Sequence, residues 1–337
     1  MKAYELEKGS TSLASLKIVE RDEPKPGPGQ VLVRMRAASL NYRDQAVVTG
    51  KYFGGVLQRN TIPLSDGAGE VAEVGPDVTR FKKGDRVAGT FFQVWVDGRP
   101  RPGTYDALGS PLDGILAEYV VLHQDGLVSL PDHLSLEEGS TLPCAGVTAW
   151  NALMFSGHIK PGDTVLTLGT GGVSIFGLQF AKMNGARVII TSSNDAKLQR
   201  ARDLGADDVV NYVKTPEWDK EIMKLTGGNG VDNIIEVGGA GTLGKSFKSL
   251  GFGGQVSLIG VLSGPDGDTN PHPIMLKGGK LQGIFVGNRA MFEDMNRAIS
   301  VNGMKPIIDK VFPFEEAAEA YKYQWDKKHF GKIVISV

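Results

Sequence analysis

A chain of 337 residues exceeds one ordinary compact core, so two domains are the expected organisation. A formal net charge of -1, with both signs mixed along the chain, leaves no basic stripe for nucleic acid or an anionic membrane, and a single cysteine, Cys144, excludes an internal disulfide framework and any zinc site built on several thiolates. No apolar run approaches a membrane span, and the start Met1-Lys2-Ala3-Tyr4-Glu5 lacks the apolar core of a signal peptide, so a soluble, cytoplasmic protein is expected.

Up to about His123 the pattern is β: short apolar segments at 31–35, 69–74 and 86–89, punctuated by Pro24, Pro26, Pro28 and the Gly84-Asp85 pair. Residues 91–113, rich in Gly, Pro and Arg, have no periodicity and read as a long excursion. From about Gly162 the rhythm changes to strand, helix, strand. Strands are predicted at 164–168, 187–191, 208–212, 233–237, 255–259 and 281–286. Helices lie between them, one over 195–204 stopped by Gly205 and another opened by Thr215-Pro216 and carrying Trp218, Ile222 and Leu225. Six strands with intervening helices specify a doubly wound parallel sheet within an α/β fold. Beyond Gly287 come helices around 292–299 and 314–323 and a last strand at 332–336, which the sheet does not need and which is expected to return to the first domain.

The stretch from Val165 to Tyr212 carries the most chemical information. A buried strand ends in Gly169-Thr170-Gly171-Gly172, followed by an apolar helix with Val173, Phe176, Phe180 and Met183. Gly169 permits the tight turn, and Gly171 lets the backbone approach a pyrophosphate seated at the helix start. Ser174 replaces the third glycine of the fingerprint and is small enough for close helix packing. The second strand ends in Ser192-Ser193-Asn194, where NAD enzymes usually place a carboxylate, and Lys197 follows one helical turn on. A carboxylate there would repel the extra phosphate of NADP by about 4 kcal/mol at ~4 Å and an effective dielectric of ~20. Hydroxyls and a lysine instead point to NADP(H). The plainer alternative is that Ser193 or Asn194 caps the next helix and Lys197 is a solvated charge.

With these pieces placed, nearly the whole chain resembles the medium-chain dehydrogenase/reductase superfamily. The landmarks are Ala38-Ser39-Leu40-Asn41-Tyr42-Arg43-Asp44 with Thr49-Gly50-Lys51-Tyr52, Ser65-Asp66-Gly67-Ala68-Gly69-Glu70-Val71, Phe81-Lys82-Lys83-Gly84-Asp85-Arg86-Val87, Cys144-Ala145-Gly146-Val147-Thr148-Ala149-Trp150 and Leu204-Gly205-Ala206. The resemblance implies a GroES-like, mostly β catalytic domain at both chain ends (1–125 and 288–337) around a Rossmann domain (126–287) with a six-stranded parallel sheet. Within the superfamily the chain looks like the zinc-independent quinone oxidoreductase and enoyl reductase branch. In zinc alcohol dehydrogenases a cysteine, a histidine and a cysteine occupy the positions matching Asn41, Ser65 and Cys144, and only the last survives. A catalytic zinc needs about three protein ligands. No structural-zinc cysteine lobe is present, and His123, His133, His158, His272 and His329 are scattered.

The resemblance further implies that Asn41 and Thr148 lie beside the nicotinamide, with Gly238, Gly260-Val261 and Phe285-Val286 closing around the cofactor and Tyr212 near the adenosine phosphate. Tyr52 is either a proton donor and carbonyl anchor or a wall of the substrate cleft; Asp44 and Asp66 either orient a water or pair with Arg43 or another basic group. Without a metal, conjugate hydride addition to an enone or quinone is favoured, since it spreads charge that hydrogen bonds can stabilise. Metal-free alcohol oxidation or carbonyl reduction, and nucleotide binding without catalysis, are the alternatives. A small-molecule substrate and a homodimer joined along the 281–286 edge strand complete the expectation.

Overall fold

The computed structural model describes residues 1–262, 267 and 270–337. These form two compact units, Met1–Val147 with Gly287–Val337, and Thr148–Val286. The second unit thus begins at Thr148 and not at 126. The difference has a clear cause: Leu127–Ser129 pairs antiparallel with Arg86–Gly89, which ties this stretch to the first unit.

In the first unit, Gln30–Ser39 is the central ribbon. It pairs with Asp66–Val74 on one side and with Lys332–Ser336 on the other, while Tyr119–His123 pairs along its first half. Both antiparallel and fully apolar stretches occur, and Val33, Val71, Ile115, Leu116, Phe312 and Ile335 meet in one core. Val334 stands opposite Ser39, a register that carries Lys332 to the level of Asn41. Directly after the ribbon, Tyr42–Val48 forms a short helix whose first turn is closed by Asp44 reaching back to the Asn41 amide at 2.7 Å. The sequence reading had no helix there.

In the second unit six strands run parallel in the order Asp208–Asn211, Arg187–Ser192, Thr164–Leu168, Val231–Glu236, Leu250–Leu258, Lys280–Gly283. This is the expected doubly wound sheet, with its order reversing next to Thr164–Leu168. Leu166, Ile189, Ile234 and Val256 fill one side beneath the helices. Two boundaries differ from expectation. The edge strand stops at Gly283 because the Ile284 amide makes its bond to Leu258 O and the chain then turns, Val286 taking a positive φ of 54°. The helix expected from Thr215 starts at Trp218, since the Thr215 amide is committed to a turn with Asn211 O.

Candidate functional site

At the first βα junction Gly169 adopts φ 75°, and a side chain at either Gly169 or Gly171 would enter open space and fill the approach to the helix start. No side chain caps the helix Gly172–Met183, which leaves the amides of its first turn, from Gly172 and Val173 onward, available to an anion. Thr170 is buried beside them. Ser174 packs within the unit and its hydroxyl donates to Leu168 O at 2.7 Å. Close helix packing falls instead to Gly177, where a Cβ would lie 2.2 Å from Ile235 Cδ1. The cradle suits a dinucleotide pyrophosphate.

At the ribose end Ser192 is buried, Asn194 Oδ1 accepts from the Lys197 amide at 3.1 Å, and the Tyr212 amide donates to Ser192 O. Asn194 therefore caps the helix Asp195–Asp203, as the plainer alternative had it. One carboxylate, Asp195, does stand nearby. It is bound by Asn211 Nδ2 at 2.7 Å and by the Lys214 ammonium, and that lysine contact holds its pKa below the usual carboxylate value.

Farther along the same unit, Glu236 is fully buried. Its carboxylate accepts from the Gly238 and Gly239 amides at 2.8 and 3.0 Å, from the Thr242 hydroxyl at 2.6 Å and from the Ser246 hydroxyl. Charge-assisted bonds of this kind satisfy the anion without a cation and fix the glycine turn. Gly239, at φ 86°, lies against the backbone of Gly260 and Val261; a Cβ there would approach Gly260 O at 2.9 Å. Val286 is held by Asn151, whose Nδ2 donates to its carbonyl at 2.7 Å, with Phe285 half-exposed beside it and Thr148 buried at the start of the unit.

The first unit assembles the remaining candidates into a buried polar cluster. Lys332 Nζ donates to Leu40 O and Asn41 Oδ1, both at 2.6 Å. Asp66 accepts from the Ser65 hydroxyl at 2.7 Å and the Cys144 amide at 3.0 Å. Both of its oxygens are therefore engaged, and it serves as an anchor. Burial raises its pKa, and Lys332 opposes that rise. Asp44 pairs with Arg43 at 3.7 Å; burial lifts it to about 6 against the pull of Arg43. Arg43 donates to Leu108 O and Ser110 O at 2.8 and 3.1 Å and lies over the Tyr52 and Phe91 rings at 4.7 and 4.8 Å. It pins the 91–113 excursion to Tyr52. Burial keeps the Tyr52 phenol protonated, its pKa above the usual value although Arg43 draws it down.

Lys332, Glu236, Asn151, Lys214 and Gly177 escaped the sequence reading. Lys332 was taken as an ordinary first residue of a strand; the signal available was a lysine fused to the apolar run Ile333-Val334-Ile335, paired with a ribbon that ends at Asn41.

Residues 27–132 match the alcohol dehydrogenase GroES-like domain and residues 172–301 the zinc-binding dehydrogenase domain. A zinc-type alcohol dehydrogenase-like protein of Schizosaccharomyces pombe is 46% identical over 96% of this chain and 95% of its own length. The quinone oxidoreductase of Sus scrofa is 32% identical over 89% and 86%. A crystal structure from Sinorhizobium meliloti 1021, provisionally named an alcohol dehydrogenase, superposes with a TM-score of 0.91 at 44% identity and full coverage of both chains. The chain belongs to the medium-chain dehydrogenase/reductase superfamily. It is an oxidoreductase of that group, whose members bind nicotinamide cofactors.

The family implies two groups, and the residues present treat them differently. The glycine cradle fits a nicotinamide dinucleotide. Zinc does not fit the Asn41, Ser65, Cys144 set: the Asn41 oxygen is taken by an ammonium, the Ser65 hydroxyl donates to Asp66, and burial pushes the Cys144 thiol up, away from thiolate. Among the described residues no three His, Cys, Asp or Glu side chains are grouped to hold a metal.

Proposed function

We propose that this protein is a zinc-independent, NADPH-dependent reductase of quinones or α,β-unsaturated carbonyls. The observation that carries the reading is the hydrogen-bonded Lys332–Asn41 pair beside Asp66, which stands where a metal-using relative needs ligands. The quinone oxidoreductase among the relatives supports it. NADPH, when bound, supplies the hydride for the β-carbon of the alkene or for the quinone, and a proton from the protein or water completes the two-electron reduction. Gly169, Thr170, Gly171, Gly172 and Val173 receive the pyrophosphate; Ser192, Ser193 and Lys197 receive the ribose phosphate, with Tyr212 against the adenosine; Gly238, Gly260, Val261, Phe285, Val286 and Thr148 receive the nicotinamide end. Asn41 donates to the substrate carbonyl oxygen, and Tyr52, kept protonated by burial, donates a second hydrogen bond or the proton.

Relatives named alcohol dehydrogenase favour a second reading, metal-free carbonyl reduction. Turnover of an enone, a quinone and a saturated aldehyde by one metal-stripped preparation separates the two: aldehyde reduction exceeding that of enone and quinone would reject the first. Failure to oxidise NADPH with every substrate would leave nucleotide binding without catalysis.

The edge strand Lys280–Gly283 is exposed at every position, and Leu281, Phe252, Met275 and Leu276 are exposed near the same sheet edge. An unpaired edge with apolar neighbours is a template for a second copy. A homodimer of cytosolic chains is therefore part of the proposal; among the described residues no helix is long and apolar enough to cross a membrane.

A further inference from the structure

The Lys332 ammonium is a donor without any acceptor capacity, so the carboxamide atom it meets at 2.6 Å must be the Asn41 oxygen. The Asn41 amide group is then fixed by chemistry as well as by packing. Both residues are more than nine-tenths buried, which excludes free rotation of either side chain through water. Asn41 Nδ2 is turned away from Lys332 toward the Asp66 carboxylate, and together with Lys332 this contact draws the Asp66 pKa down against the rise caused by burial. The ammonium also withdraws electron density from the carboxamide, which strengthens its N–H bonds as donors.

We propose that Lys332 is a positioning residue, locking Asn41 so that the amide N–H not directed at Asp66 is the donor offered to the substrate carbonyl oxygen. The proposal rests on the enone or quinone reductase reading for the identity of that oxygen; the lock itself does not. Lys332 reaches this place because its strand pairs with the ribbon that leads into Asn41, and Leu40 O provides its second anchor. Burial lowers the Lys332 pKa, and the negative charge of Asp66 and Asp44 opposes that fall; Arg43 is the other cation of the cluster.

The test compares Lys332→Met, Lys332→Arg, Asn41→Ala and the Lys332→Met/Asn41→Ala pair. Loss of one well-placed donor lowers kcat by about a hundredfold, so Lys332→Met is expected to fall by about ten- to a hundredfold with NADPH affinity within about twofold of the parent. Lys332→Arg should recover most of that loss. In the Asn41→Ala background Lys332→Met should add nothing, because the two residues act through one bond. Unchanged kcat in Lys332→Met, or losses that multiply in the double variant, would overturn the proposal. If the Met variant does not fold, Lys332→Gln, uncharged and one bond shorter, takes its place with the same expectations. If the parent reduces neither enone nor quinone, the functional reading fails, and the lock is decided by the Asn41 side-chain amide signals in a ¹H–¹⁵N spectrum: a shift in Lys332→Met but not in Lys332→Arg upholds it, and no shift in either refutes it.

Discussion

Asn151 donates its side-chain N–H to the carbonyl of Val286, 135 positions along the chain, and Val286 sits at φ 54°. A β-branched residue in the left-handed region is strained by about 1–3 kcal/mol, and it persists only when its surroundings hold it. Asn151 is that hold. Its removal leaves a buried carbonyl without a partner, so Asn151→Ala is expected to lose about 1–3 kcal/mol in urea unfolding. Val286→Gly should cost less than Val256→Gly, because relief of the backbone offsets part of the lost packing at one site and none at the other. Equal losses would show that Val286 carries no strain.

Cofactor choice is tested at Lys197. If this residue meets the ribose phosphate, Lys197→Met should weaken NADPH by about tenfold and leave NADH within about twofold, since one lysine–phosphate contact of about 1.4 kcal/mol is lost. Fluorescence titration with both cofactors reads the difference. Parallel loss for both would place Lys197 elsewhere in the site, and equal parent affinities would remove the phosphate assignment altogether.

Helix packing against the sheet depends on Gly177 more than on position 174. Gly177→Ala drives a methyl to within 2.2 Å of Ile235 Cδ1 and is expected to destabilise by about 1–3 kcal/mol, whereas Ser174→Gly loses only one hydrogen bond and helix propensity, about 1–2 kcal/mol, with pyrophosphate binding retained. Thermal unfolding with and without NADPH checks both. A tolerated Gly177→Ala would mean that Ile235 moves freely.

Asp44 gives the fold a pH dependence of definite sign. Its folded pKa of about 6 lies above the value of ~3.9 in an unfolded chain, so folding favours its protonated form. That contribution is complete below about pH 4 and is lost as pH rises through about 6. Asp44→Asn keeps an oxygen for the Asn41 amide and cannot ionise. Whatever constant offset follows from losing the Arg43 pair, the stability of Asp44→Asn relative to the parent should improve between pH 4 and pH 7.5, by up to about 3 kcal/mol. A difference that stays flat over that range would mean that Arg43 and Lys332 hold Asp44 ionised throughout.

The legible part of the molecule was the part written in local periodicity. Buried strands and their glycine turns recur at fixed spacing, which is why the six-stranded sheet and its phosphate turn could be read before any coordinates. Residues that act across distance left weaker marks. Glu236 looks like the end of any strand until four donors from the following turn and helix surround it, and Lys332 becomes informative only when antiparallel register brings it level with Asn41. The short helix Tyr42–Val48 was missed because its signal is a capping carboxylate, not an apolar repeat. At the ribose end Asn194 caps the helix, the part of the plainer alternative that the structure bears out.

The pairing of Lys332–Ser336 with Gln30–Ser39 also sets an order of events during synthesis. A growing chain that has just completed Thr148–Val286 holds every residue of the glycine cradle and can begin to fold that unit, yet it has no Lys332. Asn41, made long before, must wait for a strand that is translated almost three hundred residues later, on the order of 15–60 s at typical synthesis rates. The glycine cradle is thus complete in the nascent chain long before Lys332, and Asn41 acquires its fixed amide only near the end of synthesis.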